Sequence, residues 1–221
     1  MPAQFAHERP LPLLPLRSGM VLPGSLTTLP VGRKRSRALV HALPTDGMVL
    51  LAVQRDATVA APRREDLHDY AVLARIKQKN ERNGRATLVL VEGIERVRLL
   101  ELVDETPYIR ARTEALPEIN AETPAANALA DALREQLLDA PDLGEASLRR
   151  MIEQTRAPSL LADRIAGTID APAELRVEVL LELDVPNRLR KVIELLAKAR
   201  AAADVREKID SEVRRELGKN Q

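Results

Sequence analysis

The chain has 221 residues, 45% hydrophobic and 30% charged, the make-up of one large or two small folded domains and not of a disordered chain. Its 34 basic and 33 acidic residues nearly cancel, so net charge points to no polyanionic partner, and the absence of cysteine excludes disulfides and thiolate chemistry and fits a cytoplasmic protein. One Phe, two Tyr and no Trp leave a core of Leu, Val, Ile and Ala, with almost no aromatic platform for stacking single-stranded nucleic acid.

Residues 1–10 are polar and predict a disordered tail. They lack the cationic start and apolar run of a signal peptide, and no window approaches the ~18 apolar residues of a membrane span, so no membrane partner is expected. From Leu11 short apolar runs broken by Pro15, Pro23 and Pro30 exclude a helix and predict strands. Residues 33–43 carry Ala38, Leu39, Ala42 and Leu43 at helical spacing, and Pro44, Asp46 and Gly47 stop that helix. Residues 48–54 read as a strand covered on both faces. Residues 70–78 and 85–93 flank Asn83-Gly84 and predict a hairpin, with Thr87, Val89 and Val91 on one face and Leu88, Leu90 and Glu92 on the other. Two further strands are expected over 96–103 and 108–116.

After Pro117 the chain changes class. Helices are predicted over 121–139, 145–156, 158–170 and 172–183, broken at Pro141, Pro158 and Pro172, with Ser159 and Asp170 close to cap positions. The last, over 187–217, holds neither Pro nor Gly and would extend roughly 45 Å. Its apolar positions, Leu189, Val192, Leu196, Ala199, Ala203, Val205, Ile209, Val213 and Leu217, pass from coiled-coil spacing to a strict four-residue repeat. Such a helix overhangs a small domain and needs a partner. The expected architecture is α+β: a disordered tail over 1–10, a β-rich lobe over 11–117, a helical bundle over 118–186 and a long helix over 187–221.

No chemistry is encoded in recognisable form. There is no GxGxxG and no phosphate loop; Gly218-Lys219 lacks both the earlier Gly and the following Ser or Thr. His7, His41 and His68 are isolated, and without cysteine or HExxH no metal site is expected; His68, between Asp66 and Asp69, reads as a solvated loop histidine titrating near neutrality. The carboxylate pairs Glu92/Glu95 and Asp104/Glu105 read as surface charge. Two basic clusters, Arg33, Lys34, Arg35, Arg37 and Arg75, Lys77, Lys79, Arg82, Arg85, are either anion contacts or solvated charge; acidic neighbours and missing aromatics disfavour nucleic acid. The apolar segment Met20, Val21, Leu22, Pro23, Leu26, Leu29 and Pro30 either stays exposed as a docking patch or lines the core, and the sequence leaves both open.

One resemblance covers nearly the whole chain, residues 11–217. Leu14-Pro15-Leu16-Arg17, Pro23, Val31-Gly32-Arg33 and Ser36 resemble the opening of bacterial Lon proteases, as do Gln54, Arg55, Pro62, Asp66 and Leu67 in the next block. Val91-Glu92-Gly93 with Arg96 resembles the family's V-E-G-x-x-R block, and Leu161, Ala162, Asp163, Ile165, Ala166, Leu181, Leu183, Asp184, Arg188 and Leu189 resemble its helical lobe. The resemblance implies a PUA-like lobe and helical bundle attached to an AAA+ ATPase and a Ser-Lys peptidase, in a homohexamer. It implies no catalytic residue and no cofactor in this stretch, ATP and Mg belonging to the parent. The expected role is recognition of unfolded, damaged or degron-bearing substrates and help in assembly, with Met20, Val21, Leu22, Pro23, Leu26, Leu29 and Pro30 as candidate substrate contacts. The alternative is a structural module self-associating through Leu196, Val205, Ile209, Val213 and Leu217, and a less favoured one a nucleic-acid binder.

Overall fold

The computed structural model describes residues 9–81, 86–104, 106–139 and 146–219. Six strands come first, interrupted by one helix: β1 (Leu11–Leu16), β2 (Leu26–Val31), α1 (Lys34–Ala42), β3 (Met48–Val53), β4 (Tyr70–Glu81), β5 (Thr87–Asp104) and β6 (Ile109–Ala115). Five helices follow: α2 (Pro124–Leu138), α3 (Ala146–Gln154), α4 (Pro158–Thr168), α5 (Ala173–Leu181) and α6 (Val185–Lys219). The fold is α+β, a PUA-like sheet lobe followed by a helical bundle that ends in a long helix.

β1 runs parallel to β3, and the ring β3–β4–β5–β6–β1 closes through antiparallel pairs, with β2 added outside the first half of β5. Closure buries alternate residues inside a ring that leaves few free edges. The expected facing of the hairpin holds: Thr87, Val89 and Val91 are buried. Its tip, with Asn83-Gly84, Arg82 and Arg85, lies outside the described residues, as do residues 1–8, Glu105 and Pro141. Lys79 closes α1, its Nζ donating to the carbonyls of Val40 (3.0 Å) and Leu43, where a cation complements the helix dipole. Lys77 lies 3.7 Å from both Asp46 and Glu92, so part of the hairpin's basic cluster is neutralised locally. In α1 the buried residues are Ser36, Leu39 and Val40, so the apolar stripe is shifted from the expected one and Ala42 is exposed.

The two strands read over 85–93 and 96–103 are one. β5 runs unbroken for 18 residues, bending where its register with β4 shifts beside Gly93 and with β6 beside Leu100. Bulged residues leave the ladder and turn outward, which is why Ile94 and Leu100 are exposed although they are large and apolar. Ser159 and Asp170 are not caps. Thr123 caps α2, its Oγ1 accepting from Ala126 N at 3.3 Å, whereas α4 starts on Pro158 after Ala157, and α5 follows Pro172, neither with a side-chain cap. Proline at a helix start needs no donor and presets φ, so it marks these starts alone.

The lobes share a core. Met20, Leu22, Val53 and Val72 from the sheet side pack into the cluster that includes Leu133, Ile152, Leu161, Ile165, Val192 and Leu195. Loop 20–25 enters between β5 and α4: Gly24 N donates to Gly93 O (2.8 Å) and Gly93 N to Ser25 O (3.0 Å). The approach is so close that a Cβ at position 93 would lie 2.2 Å from Leu22 O. Beside it sits a charged clamp. Arg96 on β5 grips Asp163 on α4 with two hydrogen bonds of 2.5 and 2.6 Å and donates to the Leu180 and Val179 carbonyls at 2.9 and 3.2 Å. Arg188 on α6, wholly buried, reaches Asp163 at 3.5 Å, Glu118 at 2.9 Å and Glu182 O at 2.8 Å. Three segments, β5, α4 and α6, thus meet on one carboxylate, and the two arginines tie the end of α5 and Glu118 to it.

Removing one partner of a buried ion pair leaves an uncompensated charge. Asp163→Ala is therefore expected to cost about 3–5 kcal/mol in urea unfolding, and an unchanged midpoint would show that the clamp does not hold the lobes. Gly93→Ala should cost about 2–3 kcal/mol from the backbone clash. Gly19→Ala, where φ is +79° and nothing lies within 4 Å, should cost only about 1 kcal/mol, so equal losses at the two glycines would contradict the close-approach reading.

Candidate functional site

α6 is longer than the bundle it belongs to. Leu189, Val192, Leu195 and Leu196 are buried against α2 and α4, but from Ala201 onward every described side chain is exposed. Where the helix leaves the bundle, a trough of about 570 Å3 opens. Its walls are Leu137, Leu148, Ile165, Ile169, Leu175, Leu196 and Ala199, and Ala202 and Ala203 continue them outward. Asp170, Lys198, Arg200 and Arg206 stand at the trough, and Arg206 lies 3.7 Å from Asp170 across it. Val205 and Ile209, 56% and 53% exposed, extend the apolar character one turn at a time along the free helix. Chemically the surface offers apolar area with a charged rim, suited to non-covalent capture.

The expected apolar segment over 20–30 is divided. Met20, Val21, Leu22, Pro23 and Leu29 are buried, because loop 20–25 is consumed as the wedge between the lobes. Only Leu26, 61% exposed, and Pro30 face solvent, both on β2. Of the candidate self-association residues, Leu196 belongs to the bundle core, Val205 and Ile209 are exposed, and the side chains of Val213 and Leu217 lie outside the described ones. The trough itself escaped sequence reasoning, since its walls come from five helices, although Ala199 stood in the apolar stripe of the last helix.

The histidines are not brought together. His7 lies outside the described residues, His41 is exposed on α1, and His68 sits between β3 and β4. Among the described residues no group of three or more His, Asp or Glu could hold a metal ion, and no helix is long and apolar enough to cross a membrane. His68 is half-buried, not the solvated residue expected, and its Nδ1 is buried without a hydrogen-bond partner. Burial first, then the Arg55 charge, hold its pKa below the ordinary 6.5 against the opposing pull of Asp69.

A sheet lobe clamped to a bundle with a projecting helix is the class of fold seen in N-terminal domains of Lon proteases. The N-terminal domain of Mycobacterium avium complex Lon protease superposes with a TM-score of 0.70 at 24% identity, covering 86% of this chain and 98% of that one. A Lon N-terminal domain protein from Xanthomonas campestris gives 0.58 at 19% identity, covering 84% and 98%. The chain belongs to the family described as the ATP-dependent protease La (LON) substrate-binding domain, which matches residues 10–198. It is 42% identical over 217 residues to Lon protease 4 of Sorangium cellulosum (strain So ce56), and 34% identical over 220 residues to Lon protease 2 of Myxococcus xanthus. These matches take up 98% and 96% of this chain but 27% and 26% of those proteins, so the chain spans about a quarter of their length.

His68 gives a pH test. With a folded-state pKa below the unfolded one, the folded state binds fewer protons between the two values. Its contribution is therefore complete above about pH 6.5 and is lost as pH falls through that window to the folded pKa. NMR titration should place the His68 pKa below 6.5, and Arg55→Gln should raise it; a pKa at or above 6.5 in the unaltered chain would contradict the burial argument.

Proposed function

We propose that this domain recognises unfolded or degron-bearing polypeptides for an ATP-dependent Lon protease and does so at the trough beside α6. The observation that carries the reading is an open apolar trough of about 570 Å3 continued by the exposed side chains of Val205 and Ile209 along α6. Unfolded chains differ from folded ones by exposing Leu, Val, Ile and Phe side chains. Each that moves from water into such a trough gains about 1.5–3 kcal/mol when fully buried, enough for transient binding without sequence stringency. Leu26 and Pro30 supply a second, smaller contact on β2. The ATPase and Ser-Lys peptidase that use the captured chain belong to the parent protein, with its ATP and Mg, in the cytoplasm. Capture should be seen directly in fluorescence anisotropy with a labelled, permanently unfolded model protein. Ala203→Asp with Val205→Asp, both exposed on α6, should weaken binding about tenfold while leaving the unfolding midpoint unchanged. Unaltered affinity in that variant would remove the trough from the account.

A second reading rests on Val205 and Ile209 alone: α6 associates with α6 of another subunit and aids assembly. Truncation near Asn187 cannot test it, since Leu189, Val192, Leu195 and Leu196 are core. Sedimentation across a wide concentration range should instead show the unaltered chain growing in mass and a Val205→Glu, Ile209→Glu variant remaining monomeric; a concentration-independent monomer in both would end this reading.

A further inference from the structure

The basic run at the start of α1 takes no part in polypeptide capture as argued above. It stands at a cleft of about 430 Å3 between the ends of β1 and β2. The cleft follows from strand pairing: β1 meets β6 only at Leu11 and Pro12, and β2 pairs only with β5. Pro15 and Pro30, which have no N–H, line it, so a further strand could not complete a ladder there. Its polar lining is instead Arg17, Ser18, Arg33 and Ser36.

The features of this lining agree in sign. α1 has nine residues, its N-cap Arg33 makes no side-chain hydrogen bond to the first turn, and that turn contains no acidic residue. The amides at the helix start and the positive end of its dipole are thus uncompensated. Arg17 makes no ion pair among the described residues, and the Arg33 guanidinium donates to the neutral Gln54 Oε1 at 2.6 Å. Burial, and after it the charge of Arg17, hold the Arg33 pKa below its ordinary value, as expected of two cations without a shared carboxylate. Independently, Ser36 is only 8% exposed, lines the cleft, and its hydroxyl has no hydrogen-bond partner among the described residues. The hydroxyl is not sealed from solvent, so a group that enters the cleft can donate to it or accept from it.

We propose that this cleft binds a phosphate group, seated on the N-terminus of α1 between Arg17 and Arg33 and hydrogen-bonded by Ser36. Two guanidinium groups and a helix end favour a dianion over a carboxylate. The remaining walls, Leu14, Leu16, Leu29 and Val31, are aliphatic, so the site offers no ring on which a nucleobase stacks. The group comes either from free phosphate or from a small phosphate ester.

The test is an NMR titration of the full 221-residue chain with inorganic phosphate in one arm and glycerol phosphate in the other, ionic strength being held constant with chloride. Saturable shifts are expected at the amides of Gly32, Lys34, Arg35 and Ser36. Arg17→Gln, on an exposed side chain, should weaken binding about tenfold for the loss of one charge-assisted contact; Ser36→Ala should also weaken it, and Arg150→Gln on α3 should not. Tighter binding of the ester assigns the site to a phosphorylated small molecule, and equal binding to free phosphate. Shifts that rise linearly without saturation in both arms, or an affinity unchanged in Arg17→Gln, would overturn the proposal.

Discussion

The fold depends on how three buried charges are made tolerable. Arg96, Asp163 and Arg188 are 6%, 1% and 0% exposed. Ionised groups removed from water are costly, and attraction between them repays that only when the remaining donors and acceptors are satisfied. Here they are met from both lobes: the carboxylate by two guanidinium groups, Arg96 also by the carbonyls at the end of α5, and Arg188 by Glu118 and the Glu182 carbonyl. One donor, Arg188 Nη2, stays without a partner, so the arrangement is constrained and not optimal. Apolar replacement of such a network can be neutral for stability. Its value lies in geometry: only one mutual placement of β5, α4, α5 and α6 satisfies it.

That placement explains the loop that precedes β2. With β5 and α4 pinned by Arg96 and Asp163, the space left between them admits backbone but little side chain. Gly93 lets the Leu22 carbonyl approach, Gly24 turns at a φ of +73° against Leu160 and Arg164, and Gly167 accommodates Ser25. Arg164 then donates to Gly24 O at 3.3 Å and to Thr155 Oγ1 at 2.8 Å. The V-E-G-x-x-R block acquires separate physical roles: Val91 for the sheet core, Gly93 for the approach, Arg96 for the clamp, and Glu92 for a surface contact with Lys77.

Local pattern made most elements legible. The Asn83-Gly84 pair marked the hairpin of β4 and β5, alternation marked the first half of β5, proline marked the starts of α4 and α5, and the lack of Pro and Gly marked α6. What escaped was set by distance in sequence. Arg96 and Asp163 stand 67 positions apart, and neither periodicity nor composition joins them, although each lay in a block of the family resemblance. The apolar segment over 20–30 could not be resolved for the same reason: whether Met20 and Leu22 are free depends on Leu161 and Ile165, which only the folded chain brings against them. A bulged strand also defeats alternation, since Ile94 and Leu100 break the period at the points where β5 bends.

The trough and the free end of α6 answer differently to the two kinds of partner. Up to Ala199 the apolar residues on α6 recur at three and four positions, the average that keeps a stripe straight along a supercoil. Past Ala203 the sequence repeats every four, through Val205 and Ile209. At about 100° per residue, a four-residue step advances about 40° beyond a full turn, so the stripe winds around the helix instead of facing one way. A second straight helix could follow such a stripe for only one or two steps before losing it. An extended, flexible polypeptide can follow it, turning with the surface from the trough outward. The same drift that makes α6 a poor coiled-coil seam therefore suits it to chains without fixed structure, which supports the proposed capture over the alternative proposal of self-association.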